Sequence, residues 1–136
     1  MGSVRCTRGI GGGRPGAAQN LEEALGLYRD LGDLAGEAEA LNDTGALHMA
    51  CGDFRRARSR HQQALDLARQ IGSSWDEAHA LAGLGLCALA VGHTAEAPGM
   101  LRQALEIFQR IGAAEAANVS AELQALTDAR PAAQGS

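Results

Sequence analysis

Residues 32–71 read GDLAGEAEALNDTGALHMACGDFRRARSRHQQALDLARQI, and residues 72–111 read GSSWDEAHALAGLGLCALAVGHTAEAPGMLRQALEIFQRI. Aligned without gaps, the two stretches share 13 identities. Gly12, Gly32, Gly52, Gly72, Gly92 and Gly112 recur every 20 residues, and Ala24-Leu25, Ala64-Leu65 and Ala104-Leu105 recur every 40. Such a period marks a repeat architecture. A glycine ends a helix cheaply, because it takes the left-handed conformation without a Cβ clash. Asp33, Asp53, Ser73 or Ser74, and Thr94 follow as N-caps for the next helix. Each 20-residue unit is then one helix and a tight turn, and two units make an antiparallel hairpin.

The side-chain pattern agrees. Between Ala57 and Ile71 the apolar residues Ala57, Ala64, Leu65, Leu67, Ala68 and Ile71 form one stripe among Arg and Gln. Ala78 to Val91 is apolar nearly all round, as an inner helix must be. The pattern predicts helices over 19–31, 34–51, 54–71, 75–91, 95–111 and 114–128, with no strand. The expected fold is all-α: about six helices in antiparallel hairpins, stacked as a short right-handed superhelical solenoid. A half repeat covers 18–31, full repeats cover 32–71 and 72–111, and a closing helix covers 113–128. The Gly-rich leader 1–17 and the tail 129–136 are expected to be disordered. Gly12 keeps the period where Gly13-Arg14-Pro15-Gly16 no longer supports a helix start, which suggests truncation at the N-terminus.

Composition excludes several classes. Aromatic residues make up only 3% of the 136, so the core must be built from Ala, Leu, Ile and Gly. The net charge of -4, with 12 Arg and no Lys, argues against direct nucleic-acid binding. No apolar run reaches the roughly 20 residues that span a bilayer, and no secretory h-region follows Arg5 and Arg8. A cytoplasmic protein that does not engage membranes is expected. Gly11-Gly12-Gly13-Arg14-Pro15-Gly16 fits G-x-G-x-x-G, but no strand precedes it and Pro15 removes a donor, so it is no dinucleotide site. His48, Cys51 and His61 could gather, yet no fourth zinc ligand has suitable spacing. The two histidines instead read as packed residues, close enough to resist double protonation. No nucleophile elbow or convergent polar constellation appears. The expectation is no enzyme and no cofactor.

Leu41-x-x-Thr44-Gly45 with Ala57 and Ala64, and Leu81-x-x-Leu84-Gly85 with Ala97 and Ala104, resemble the tetratricopeptide repeat family. The resemblance implies that Gly45 and Gly85 let the helices of a hairpin approach, and that the alanines do so between neighbours. The family's large aromatics give way to Leu41, His48 and His61, then to Leu81, Ala88 and Leu101, and Pro98-Gly99 falls in a first helical turn. The 40-residue form is similar to arrays in actinobacterial antibiotic-regulatory and NB-ARC-type regulators.

The first helices of stacked hairpins line a concave groove. On that side fall Glu39, Asn42, Asp43, Ala46, Met49, His79, Gly83, Leu86 and Ala90. The groove is acidic at one end and apolar at the other, which suits a segment with basic and apolar elements. The resemblance implies that Asn42 grips a peptide backbone. Arg55, Arg56, Arg58 and Arg60 form the densest charge cluster, with 56 and 60 on one helix face and 55 and 58 on another; it reads as a solvated face or as a secondary convex patch for an acidic partner. The leading helix, with Leu21, Leu25, Tyr28 and Leu31, lacks its hairpin partner, so self-association is expected too. The function expected is a protein-binding scaffold that holds a peptide or partner helix. The alternative is a fragment or regulatory module in signal transduction or transcription regulation, with its effector domains elsewhere.

Overall fold

The computed structural model describes residues 17–134, with side chains over 19–128. Six helices follow in order: α1 (Ala17–Leu31), α2 (Leu34–Ala50), α3 (Phe54–Ile71), α4 (Ser74–Ala90), α5 (Ala97–Arg110) and α6 (Glu115–Gln134). Among the described residues there is no strand. Each helix packs on the next, and α2 also touches α4, the first helix of the next hairpin. The architecture is the all-α helical-repeat solenoid that the sequence predicts.

The 20-residue period has a direct physical cause. Gly32, Gly52, Gly72, Gly92 and Gly112 all have positive φ, between 70° and 86°. The N–H of the residue after each glycine donates to a carbonyl in the preceding helix: Asp33 to Tyr28, Asp53 to His48, Ser73 to Ala68, His93 to Ala88 and Ala113 to Phe108, at 2.7–2.9 Å. This is the Schellman closure. At three of the five turns that residue also starts the next helix. The side chains of Asp33, Asp53 and Ser73 accept from the amides of Gly36, Arg56 and Asp76. One residue thus ends a helix with its amide and begins another with its side chain, and the connection shrinks to two or three residues.

At the other two turns the dual residue is His93 or Ala113, neither of which caps, and both following helices start late. Here the structure corrects the sequence reading. Thr94 does not cap a helix at 95. The helix α5 begins at Ala97 behind Glu96, which makes no side-chain cap, so that Pro98 falls in the first turn. A start at 95 would have made Pro98 supply an amide it lacks. The closing helix begins at Glu115 and continues to Gln134, past the expected end at 128. Local bonds from Thr127 Oγ1 to the Leu123 carbonyl and from Gln124 to Asp128 carry it through that point. The leader 1–17 lies outside the described residues, save Ala17.

Small residues hold the layers together. Ala38, Ala57, Ala64, Ala68, Ala78, Ala80, Ala97 and Ala104 are wholly buried or nearly so. Leu25, Leu41, Leu81, Leu101, Ile107 and Phe108 fill the space between them. At Gly85 an added Cβ would overlap Leu101, so the absent side chain sets the α4–α5 distance. In α1, Leu25 is buried, and Leu21 and Tyr28 are half-buried. Of the four residues expected on an open face, only Leu31 stands outward, at 77% exposure, together with Leu27 at 61% and Leu34.

Two glycine substitutions separate the roles of turn and helix. Gly72→Ala forces a Cβ into a left-handed cap and should cost about 1 kcal/mol. Gly26→Ala, in the open interior of α1, should stabilise by about 0.5–1 kcal/mol. Denaturant midpoints measured side by side check both signs.

Candidate functional site

The helices α2 and α4 run side by side on the inner surface. Glu39, Asn42, Asp43, Ala46, Met49 and Ala50 fall at helical spacing along one, and Trp75, Asp76, His79, Ala82, Gly83 and Leu86 along the other. Between them lies a concavity of about 610 Å³, with His61 of α3 beneath. Eight of the nine residues expected on the groove side line it, and Ala90 does not. His61, Trp75, Asp76 and Ala50 are the residues sequence reasoning did not place there, and Ala82 takes the position that Asn42 holds one repeat earlier. Trp75 and Asp76 sit four and three positions before His79, a spacing that could have drawn them in.

His61 organises the site. An added Cβ at Gly45 of α2 or at Gly83 of α4 would overlap its ring, so the imidazole occupies the slot left by two absent side chains. Its Nδ1 is 2.9 Å from Asn42 Oδ1. The Asn42 amide nitrogen donates to the Asp76 carbonyl at 3.0 Å. That bond fixes which end of the amide is the acceptor, so Nδ1 carries the proton and Nε2 is bare. Asn42 is buried and its amide ties α2 to both α3 and α4. Its role as a backbone clamp for a ligand is therefore corrected: its polar atoms serve the fold.

Burial pushes the His61 pKa down to about 4, with a smaller contribution from His79. His48, buried against α3, is also lowered, chiefly by desolvation. The charge neighbour of His61 is thus His79, and the expected His48–His61 pair is not what holds it neutral. Among the described residues no group of three ligands could hold a metal ion.

The two ends of the groove differ. Glu39, Asp43 and the buried Asp76 stand at one end, beside the exposed Trp75. Desolvation raises the Asp43 pKa, His79 lowers it, and Asp76 raises it further. The His79 ring packs at 4.6 Å on Trp75 and 5.1 Å on Phe108, with Nε2 3.5 Å from Glu115. Met49, Ala46 and Leu86 make the other end apolar. No arginine lines the groove.

The four-arginine patch divides. Arg60 donates to both carboxylate oxygens of Glu22 at 3.0 and 2.9 Å, and Arg56 pairs with Asp53 at 3.5 Å. Arg55 and Arg58 lie on a different face, toward α4 and α5. The patch is not one surface, because residues 56 and 60 share one side of α3 while 55 and 58 share another.

The family model for the tetratricopeptide repeat matches residues 36–110. Among curated proteins, none matches the chain. No helix among the described residues is long and apolar enough to cross a membrane.

The lowered His61 pKa sets a pH dependence. Protonation favours the unfolded chain, so the His61 contribution is complete above about pH 6.5 and is lost as the pH falls toward 4. Stability should drop by about 2 kcal/mol between pH 7 and pH 5 from this group. His48 acts in the same direction, and Asp43 opposes it weakly at the acid end. Urea midpoints across this range should fall steeply for the native chain and much less for His61→Phe. Parallel slopes for the two would reject the assignment.

Proposed function

Because the chain belongs to the tetratricopeptide repeat family, we propose that its concave groove binds a segment of a partner protein bearing both basic and apolar side chains. Repeats of this family generally mediate protein–protein interaction and are typically not enzymes. One observation carries the finer reading: Glu39, Asp43 and Asp76 gather at one end of a groove that no arginine enters, and apolar side chains finish the other. Carboxylates on a shared wall raise the on-rate of a cationic partner and reject an anionic one. The exposed Trp75 ring, at 46%, offers a π-face to a cation on the same segment. Met49 adapts to apolar side chains of varied shape.

The rigidity of the walls supports the same reading. The Asn42 amide and the His61 ring lock α2, α3 and α4 together, so the groove is formed before a ligand arrives. A preorganised site spends less of its interaction energy on ordering.

A second reading makes the chain a regulatory module of a transcription regulator whose effector domains lie elsewhere. It draws on the outward Leu27, Leu31 and Leu34 at the α1 end, an apolar patch suited to further protein or to a second copy.

The groove is tested with a labelled peptide that alternates arginine and leucine. Fluorescence anisotropy should show binding that weakens with added salt. Glu39→Gln with Asp43→Asn should weaken it about tenfold, while the melting temperature changes little. Equal affinity for the double variant, or equal affinity for a glutamate-for-arginine peptide, would rule the groove assignment out.

A further inference from the structure

The convex side carries the same groove twice, one repeat apart, and the two copies differ in a way that has a use. The first lies between α1 and α3. Arg60 crosses it to grip Glu22 with two hydrogen bonds, and the buried ring of His48 fills beneath. The residues 40 positions later are Met100, Gln62 and Ala88. All three line the second groove, between α3 and the end of α4 with α5. There the crossing ion pair is gone, and a methyl group stands where the imidazole was. What remains is an open trough of about 690 Å³. The late start of α5 leaves its mouth uncovered, because 92–96 form an exposed turn where an earlier start would place helix.

The trough is apolar below and cationic on one wall. Leu84, Cys87 and Ala88 are buried in its floor, and Val91 is 49% exposed beside them. Arg55 and Arg58, one turn apart on α3, are both exposed. Among the described residues neither has a carboxylate within ion-pair distance, in contrast to Arg56 and Arg60. Glu96 and His93 stand toward α5. An incoming anion is thus drawn to the α3 wall and turned away from the other.

We propose that this trough is a second docking surface, taking an amphipathic segment of a partner protein with acidic residues beside an apolar stripe. The apolar side chains enter over Leu84 and Ala88, and the carboxylates meet Arg55 and Arg58. The sign is opposite to that of the concave groove, so the two faces select different partners. The proposal does not depend on what the concave groove binds.

The probe is a labelled helical peptide of about four turns, with leucines at core spacing flanked by glutamates. Its lysine-for-glutamate counterpart and a labelled single-stranded oligonucleotide serve as comparisons. The whole chain should bind the acidic peptide about tenfold or more tightly than the basic one. Two variants remove the surface in different ways. Arg55→Glu with Arg58→Glu reverses the wall, and Gln62→Glu with Met100→Arg restores the crossing ion pair of the first groove. Each should reduce acidic-peptide affinity about tenfold, and circular dichroism identifies a variant that has lost its fold, in which case the other decides. Equal binding of both peptides, retention of affinity by the folded variants, or matching affinity for the oligonucleotide would overturn the proposal. Sedimentation showing that Arg55→Glu with Arg58→Glu dissolves a dimer would give the trough to a second copy and overturn it likewise.

Discussion

The imidazole of His61, seated where Gly45 and Gly83 have no side chains and bonded to the Asn42 amide, is the contact on which the rest of the structure depends. Three helices meet at it. The hairpin α2–α3 closes on one face of the ring, and α4 of the next hairpin closes on the other. Asn42 then reaches past the ring to the Asp76 carbonyl in the first turn of α4. A buried polar group is tolerable only when its partners are present, and here each partner belongs to a different helix. The spacing of α2 and α4, and hence the width of the groove, follows from this single arrangement.

Around that centre the chain uses two devices repeatedly. Left-handed glycines end the helices, and the next residue both closes the old helix and caps the new one where it is Asp or Ser. Small side chains at the crossings let the backbones approach. Where the glycine closure is kept but the side-chain cap is missing, at His93, the helix starts late and a surface opens. The convex trough is therefore a local consequence of Pro98, of the missing cap, and of the loss of the Arg60–Glu22 crossing in the following repeat. The two proposed docking surfaces differ in origin: the concave one comes from the regular repeat, and the convex one from a departure.

The fold was legible because its determinants are local and periodic. Gly32, Gly52, Gly72, Gly92 and Gly112 act within their own turns, and Ala57, Ala64, Ala97 and Ala104 are buried because helical spacing puts them inward. The groove residues were legible for the same reason, since position along a repeat decides which side a residue faces. What a side chain does once there was less legible. Asn42 and Gly83 were placed correctly as groove residues, but their bonds and gaps depend on His61, which is distant in sequence. The four arginines illustrate the same limit. A count along α3 separates 56 and 60 from 55 and 58, yet only the position of Glu22 on another helix shows which guanidinium is taken. The outward turn of Leu31, against the inward turn of Leu25, likewise depends on where α2 lies.

The state of His61 tests the central claim most directly. Long-range nitrogen–proton correlation NMR on the intact chain distinguishes the imidazole tautomers and follows their titration. The account predicts a neutral ring with its proton on Nδ1, persisting from neutral pH to below pH 5, consistent with a pKa of about 4. A ring protonated on Nε2, or one that titrates near the ordinary value of 6.5, would contradict it.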